Sequence, residues 1–192
     1  MFFRDIGQGV YGPKWQSYAR GWPTIYNPVI IEFFKATKTN PLAPENDGDN
    51  TAWCAAFVNW CIARGLSRDG SISDATLKRG TQSASSGSFR CWESEAAKPT
   101  TIGPPLELSE SPQPGDIIVW AQNGSVRPCQ PGRLQVGSGH VAFYLGAGGN
   151  AGILEVGGNQ LESGHHAVTR KSEPGSFGDV RLLTVRTAPF LR

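Results

Sequence analysis

Two side chains in this sequence have the chemistry of a nucleophile and its proton partner, in settings their siblings lack. Cys54 falls in the first turn of an apolar segment, residues 51–64, that reads as a helix. Unpaired backbone N–H groups and the positive end of the helix dipole gather there. They favour a thiolate and suit the oxyanion formed when sulfur attacks a carbonyl. Cys61, two turns deeper, lacks that setting, although position alone lets Cys54 serve equally well as a small core residue. Of three histidines, His140 opens an apolar run directly after Gly137-Ser138-Gly139, where small residues leave space around it. His165 and His166 sit together in a polar turn and read as surface residues. A cysteine nucleophile needs such an imidazole to hold its proton and later to protonate a leaving amine.

The imidazole needs an acceptor for its other ring nitrogen. In Ile153-Leu154-Glu155-Val156-Gly157-Gly158-Asn159-Gln160, residues 155, 157 and 159 share a face of a regular strand, so Glu155 and Asn159 compete for that place. A bulge at Gly157-Gly158 would break the parity beyond Val156.

The elements that must position these groups change period halfway along the chain. Asn27 before Pro28 predicts an N-cap with proline at the first helical position, and a helix to about residue 37. A loop over 38–50 carries the acidic run Glu45-Asn46-Asp47-Gly48-Asp49. The helix over 51–64, capped by Asp49, Asn50 or Thr51 and stopped at Gly65, is apolar nearly all round and belongs in the core. A short helix is expected near 83–92. Strands follow over 115–120, 140–145, 152–156, 167–171 and 179–186, the first after a Pro-Gly turn. Helices first and antiparallel strands afterwards predict an α+β fold, a central helix on a sheet of about five strands. The expected organisation is one domain over 1–192, with an irregular arm over 1–26, a helical part over 27–66 and the sheet over 113–188.

Composition narrows the function. Of 192 residues, 24 are glycine and 14 proline, the mark of a turn-rich globular chain. A net charge of +2 with no dense Lys/Arg stripe argues against nucleic acid, and no apolar run approaches the ~18 residues of a membrane span. The N-terminus has no basic region followed by an apolar one, so synthesis in the cytoplasm without a secretory signal is expected. Cys54 and Cys61 lie about 10 Å apart along one helix at ~1.5 Å per residue, too far to bridge. A Cys91–Cys129 bridge stays open. Scattered cysteines without Cys-x-x-Cys exclude structural zinc, while Glu45, Asp47 and Asp49 form a candidate calcium loop against the simpler reading of a solvated turn. Of six tryptophans, Trp53, Trp60 and Trp120 read as core or groove wall, leaving Trp15, Trp22 and Trp92 for a sugar face.

Four motifs occur in one order: Trp53-Cys54-Ala55-Ala56-Phe57-Val58-Asn59-Trp60, Gly115-Asp116-Ile117-Ile118-Val119, Gly139-His140-Val141-Ala142-Phe143-Tyr144 and Gly157-Gly158-Asn159-Gln160. In these the chain resembles the CHAP-like and NlpC-like cysteine peptidases and amidases of bacterial cell walls, in particular a small-protein subfamily with Trp-Cys-Ala-Ala-Phe-Val and Gly-Gly-Asn-Gln. The likeness spans roughly residues 50–185. It implies a papain-like fold, with Cys54 as nucleophile, His140 as base and acid, and Asn159 as orienting group, Glu155 being the alternative. Relatives carry Ala-Arg-Ser-aromatic after the helix, where this chain has Ser86-Gly87-Ser88-Phe89, and Leu where it has Val156; the first difference bears on the substrate groove.

The activity implied is hydrolysis of amide bonds in peptidoglycan stem peptides through a thioacyl intermediate, with no cofactor required. Delivery to the periplasm or wall as a secretion-system effector or a phage lysin, action as a monomer, and a cognate immunity protein for an effector complete the expectation. The competing expectations are a catalytically inactive wall-binding module, or an acyltransferase or protein-directed cysteine protease on the same fold.

Overall fold

The computed structural model describes residues 27–90, 92, 107–108, 112–122, 139–149, 152–174, 176–177 and 180–187. The arm expected over 1–26, Trp15, Trp22, Cys91 and Cys129 lie outside the described residues.

The first helix, α1 (Pro28–Phe33), begins as its sequence dictates: Asn27 Oδ1 accepts from the Val29 N–H at 3.0 Å, and Pro28 supplies the fixed φ of the first turn. A 3-10 turn, Phe34–Ala36, continues it, and a second, Gly48–Asn50, precedes the central helix α2 (Cys54–Gly65). α2 starts three residues later than expected, with Trp53 as N-cap and no side-chain capping bond. Asp49 does not cap it; its Oδ2 accepts from the Asn27 N–H at 2.8 Å and ties the loop to the start of α1. A short α3 (Asp74–Leu77), which periodicity does not signal, is fixed by a reciprocal capping box between Ser73 and Thr76. The helix expected near 83–92 is a 3-10 segment, Ser86–Arg90, buried throughout.

The strands are β1 (Glu107–Leu108), β2 (Ile117–Gln122), β3 (Gly139–Ala147), β4 (Ile153–Glu162), β5 (His165–Glu173), β6 (Ser176–Phe177) and β7 (Val180–Thr187). They form one antiparallel sheet in the order β1-β7-β2-β3-β4-β5, with β6 paired to β7. Five of the strands have six or more residues and carry the expected α+β architecture. A turn with Gly115 at φ +100 and an Asp116 N–H to Gln113 C=O bond of 2.9 Å launches β2; Pro114 and Gly115 are the residues such a turn demands. β4 runs on to Glu162, well past Val156, because the chain bulges at 157–160 instead of stopping.

Side chains alternate across the sheet. Ile117, Val119, Val141 and Phe143 pack with α2, whereas Ile118, Trp120 and Ala142 form a smaller cluster on the far face. α2 lies on β3 and β4, with α1 on its other flank: Phe33 meets Trp53, Phe57 and Trp60 at ring distances of 5.7, 5.4 and 5.4 Å. That enclosure explains a helix apolar all round. Asn59, buried on α2, is a latch. Its amide donates to Ala55 O, Thr81 Oγ1 and Ser83 O, and its Oδ1 accepts from the N–H groups of Thr81 and Gln82. Trp92 is buried against Phe89 at 5.2 Å, so it packs the core and offers no sugar face. Among the described residues no helix is long and apolar enough to cross a membrane.

Candidate active site

Cys54 is the first residue of α2 and is 4% exposed. The backbone N–H groups of Val141, Ala55 and Cys54 itself lie close enough to the sulfur to favour its charged form. The reach to Val141 follows from strand geometry. Tyr144 donates its N–H to Asp116 O toward β2, and successive N–H groups of a strand alternate sides, so that of Val141 points toward β4. There β4 has drawn away: the β3–β4 ladder holds only from Phe143↔Val156 to Ala147↔Ile153. Val141, next in the chain to His140, is thus where β4 leaves the N–H of β3 unpaired beside Cys54.

The helix terminus does not make this sulfur a thiolate. Burial outweighs the three N–H donors, with the Glu155 carboxylate adding a smaller push in the same direction, and the Cys54 pKa rises to about 11. Cys54 is therefore a thiol at neutral pH and depends on a base. Cys61 is pushed up further by burial.

His140 lies on the face of β3 away from the packed side of α2, opposite Trp120 on β2. Its Nε2 is 3.1 Å from Gln160 Nε2 and 3.6 Å from Glu155 Oε1. Glu155, 1% exposed, is pinned from both sides: Trp120 Nε1 donates to Oε2 at 2.7 Å and Gln160 Nε2 donates to Oε1. Burial raises Glu155 to about 7, against the hydrogen bond from Trp120, while burial, helped by nearby Lys171, lowers His140 to about 4. Near neutrality the imidazole is thus uncharged, and the carboxyl keeps its proton to higher pH than an ordinary carboxylate does.

The bulge decides which residue meets the ring. Register shifts between Gly157 and Gln160, and Asn159 turns to φ +59. The parity that grouped 155, 157 and 159 ends at Gly157, so Gln160, which that pattern did not single out, joins Glu155 beside His140. Asn159 stands on the rim of the same cleft, its carbonyl 3.3 Å from His166 Nδ1. Both glycines are needed: a Cβ on Gly157 would stand 2.9 Å from His140 Nε2, and one on Gly158 2.7 Å from Phe57 Cβ. The cleft, about 490 Å³, is lined by His140, Glu155, Asn159, Gln160, Lys171 and Glu173 among others. His165 and His166 are exposed at the start of β5. Of the acidic loop, Asp49 is buried while Glu45 and Asp47 are exposed, and no group of three metal-ligating side chains occurs among the described residues.

A cysteine opening a buried helix that lies across an antiparallel sheet, with a histidine at the start of the adjoining strand, defines the papain-like class. Within it, residues 46–159 match the family model of the CHAP domain, and the chain belongs to that family. No curated protein and no solved structure matches it significantly. Membership gives the general activity: cysteine- and histidine-dependent cleavage of amide bonds, with peptidoglycan as the substrate class.

Proposed function

We propose that this protein hydrolyses an amide bond of peptidoglycan stem peptides, with Cys54 as nucleophile and His140 as base and acid. The observation that carries the reading is Cys54 at the start of α2 beside Val141, one residue from His140, within a CHAP domain. His140 takes the thiol proton as sulfur attacks the carbonyl, and backbone N–H groups at the start of α2 receive the oxyanion. The imidazolium then protonates the leaving amine. Water, deprotonated by the same ring, releases the acyl group from sulfur. Glu155, 3.6 Å from the ring and linked to it through Gln160, is the group we take to orient the imidazole in place of Asn159.

Delivery as a secretion-system effector, guarded by an immunity protein over the cleft, or as a phage lysin is the route we propose to the wall. The test is digestion of purified sacculi by wild type and Cys54→Ala, with products identified by mass spectrometry and a chelator arm for the acidic loop. Wild type should release amide-cleaved muropeptides, and the variant should lose at least about 10³-fold in rate. Calcium at the loop would show as loss of cleavage with chelator. Sacculi of several chemotypes bound but left intact by both proteins would make this a wall-binding module instead. Products coupled to an amine would make it an acyltransferase.

A further inference from the structure

Gln160 is 5% exposed, and its orientation carries chemical information. A carboxamide nitrogen can only donate. With Gln160 Nε2 turned toward His140 Nε2 at 3.1 Å, the two can pair only if that ring nitrogen holds a lone pair, which puts the proton of the neutral ring on Nδ1. The second amide hydrogen goes to Glu155 Oε1, which Trp120 holds in place from the other carboxylate oxygen. Gln160 Oε1, although buried, has no hydrogen-bond partner among the described residues. With Nε2 occupied in this way, Nδ1 is the nitrogen left for the thiol, and a protonated Nδ1 cannot take a proton from sulfur.

Turning the amide over exchanges oxygen and nitrogen within one shape. The oxygen then accepts from His140 Nε2–H and faces Glu155 Oε1, which it tolerates only if that carboxyl carries a proton and donates it. We propose that Gln160 is a positioning residue that ties the tautomer of His140 to the protonation of Glu155: amide nitrogen inward holds a latent site with Nδ1–H, and amide oxygen inward, with Glu155 protonated, frees Nδ1 to accept the Cys54 proton. When the thiol proton moves to Nδ1, sulfur becomes the thiolate and the imidazolium keeps Nε2–H on the Gln160 oxygen, so one proton changes place and none is lost. The site is built for such coupling. Gly157 leaves no side chain between the partners, since a Cβ there would lie 2.9 Å from His140 Nε2 and 3.0 Å from Gln160 Nε2. The residue lies one position beyond the stretch that matches the family. Burial places Glu155 at about 7 and His140 at about 4, so across neutrality the carboxyl titrates while the ring stays uncharged. The other charged or titratable groups facing the pair are Lys171 and Glu173 of β5, ion-paired at 3.6 Å, His166 at the cleft wall, and the Cys54 thiol at the start of α2.

The inference rests on the reading of Cys54 and His140 as the reacting pair, but its test needs no wall substrate. Ring-nitrogen NMR of ¹⁵N-histidine-labelled protein, with His140 assigned through His140→Asn, reports the tautomer directly. In wild type the ratio of Nε2–H to Nδ1–H should fall about tenfold per pH unit above the Glu155 midpoint, one proton being linked. Glu155→Gln, which always offers a donor to the Gln160 oxygen, should hold Nε2–H from pH 6 to 8. Gln160→Met should remove the pH dependence. A wild-type tautomer that does not change over this range, or a change that survives in Gln160→Met, overturns the proposal. If Gln160→Met fails to fold, Glu155→Gln decides alone: a ring that still switches refutes it. A switching tautomer in a protein that cleaves no sacculus would leave the coupling standing and remove only the peptidoglycan reading.

Discussion

Burial shifts Glu155 up and His140 down, and each shift has a stability consequence whose sign differs. The folded state binds the Glu155 proton more tightly than the unfolded chain does, its pKa being raised by burial to about 7. Its contribution is complete below the ordinary carboxyl range and is lost as pH rises toward 7. His140 is opposite: lowered to about 4, it favours the fold above about 6.5 and loses that contribution as pH falls. Between pH 4.5 and 6.5 the two slopes oppose each other. Glu155→Gln should remove one of them, so its stability relative to wild type should improve by on the order of 2–3 kcal/mol between pH 4.5 and 8. Urea denaturation of both proteins at the two pH values measures this. Equal pH slopes would mean that Glu155 is ionised freely in the fold. The same burial defeats the thiolate expected of Cys54 from its helix terminus. Position along a helix is visible in sequence, but the depth of what covers it is not.

At the scale of elements, two junctions hold the groups we propose to react, and both can be broken singly. Gly158 lets β4 pass beneath Trp53 and Phe57, the residues that set the start of α2. Gly158→Ala should cost about 1–3 kcal/mol by overpacking and should displace Cys54 from β3. Cleavage should then fall further than the loss of folded protein explains, as activity per folded molecule would show. Asn59→Ala acts at the other end, leaving the N–H groups of Thr81 and Gln82 without their acceptor. It should cost about 2–4 kcal/mol in urea denaturation, with protease nicking first at 80–83. These junctions also mark where sequence stops being legible. Asn27-Pro28 and Pro114-Gly115 declare themselves because cap and turn chemistry is local. The bulge at 157–160 depends on His140 approaching from one face and Trp53 from the other. No periodicity within β4 could place Gln160, and not Asn159, beside the ring.

For the whole molecule, the sheet divides labour between its faces. One face is closed by α2 and α1; the other carries the cleft, with His140, Glu155 and Gln160 at its base and Lys171 and Glu173 on its wall. Cys54, the nucleophile we propose, opens α2 on the closed side, near where the pairing of β4 with β3 ends. If this cleft is the substrate site, the substrate approaches over β4 and β5. Hydrogen exchange on Cys54→Ala saturated with a stem-peptide muropeptide should show slowing over 159–173, since bound ligand covers those backbone groups, while α1 and α3 exchange unchanged. Protection centred on α3 and the loop over 66–73 would place the groove on the helical side and assign the cleft a purely structural part. The expected pattern would also explain why burial of Cys54 does not preclude attack. On our proposal the carbonyl would reach sulfur beside Val141, where the pairing of β3 with β4 has lapsed.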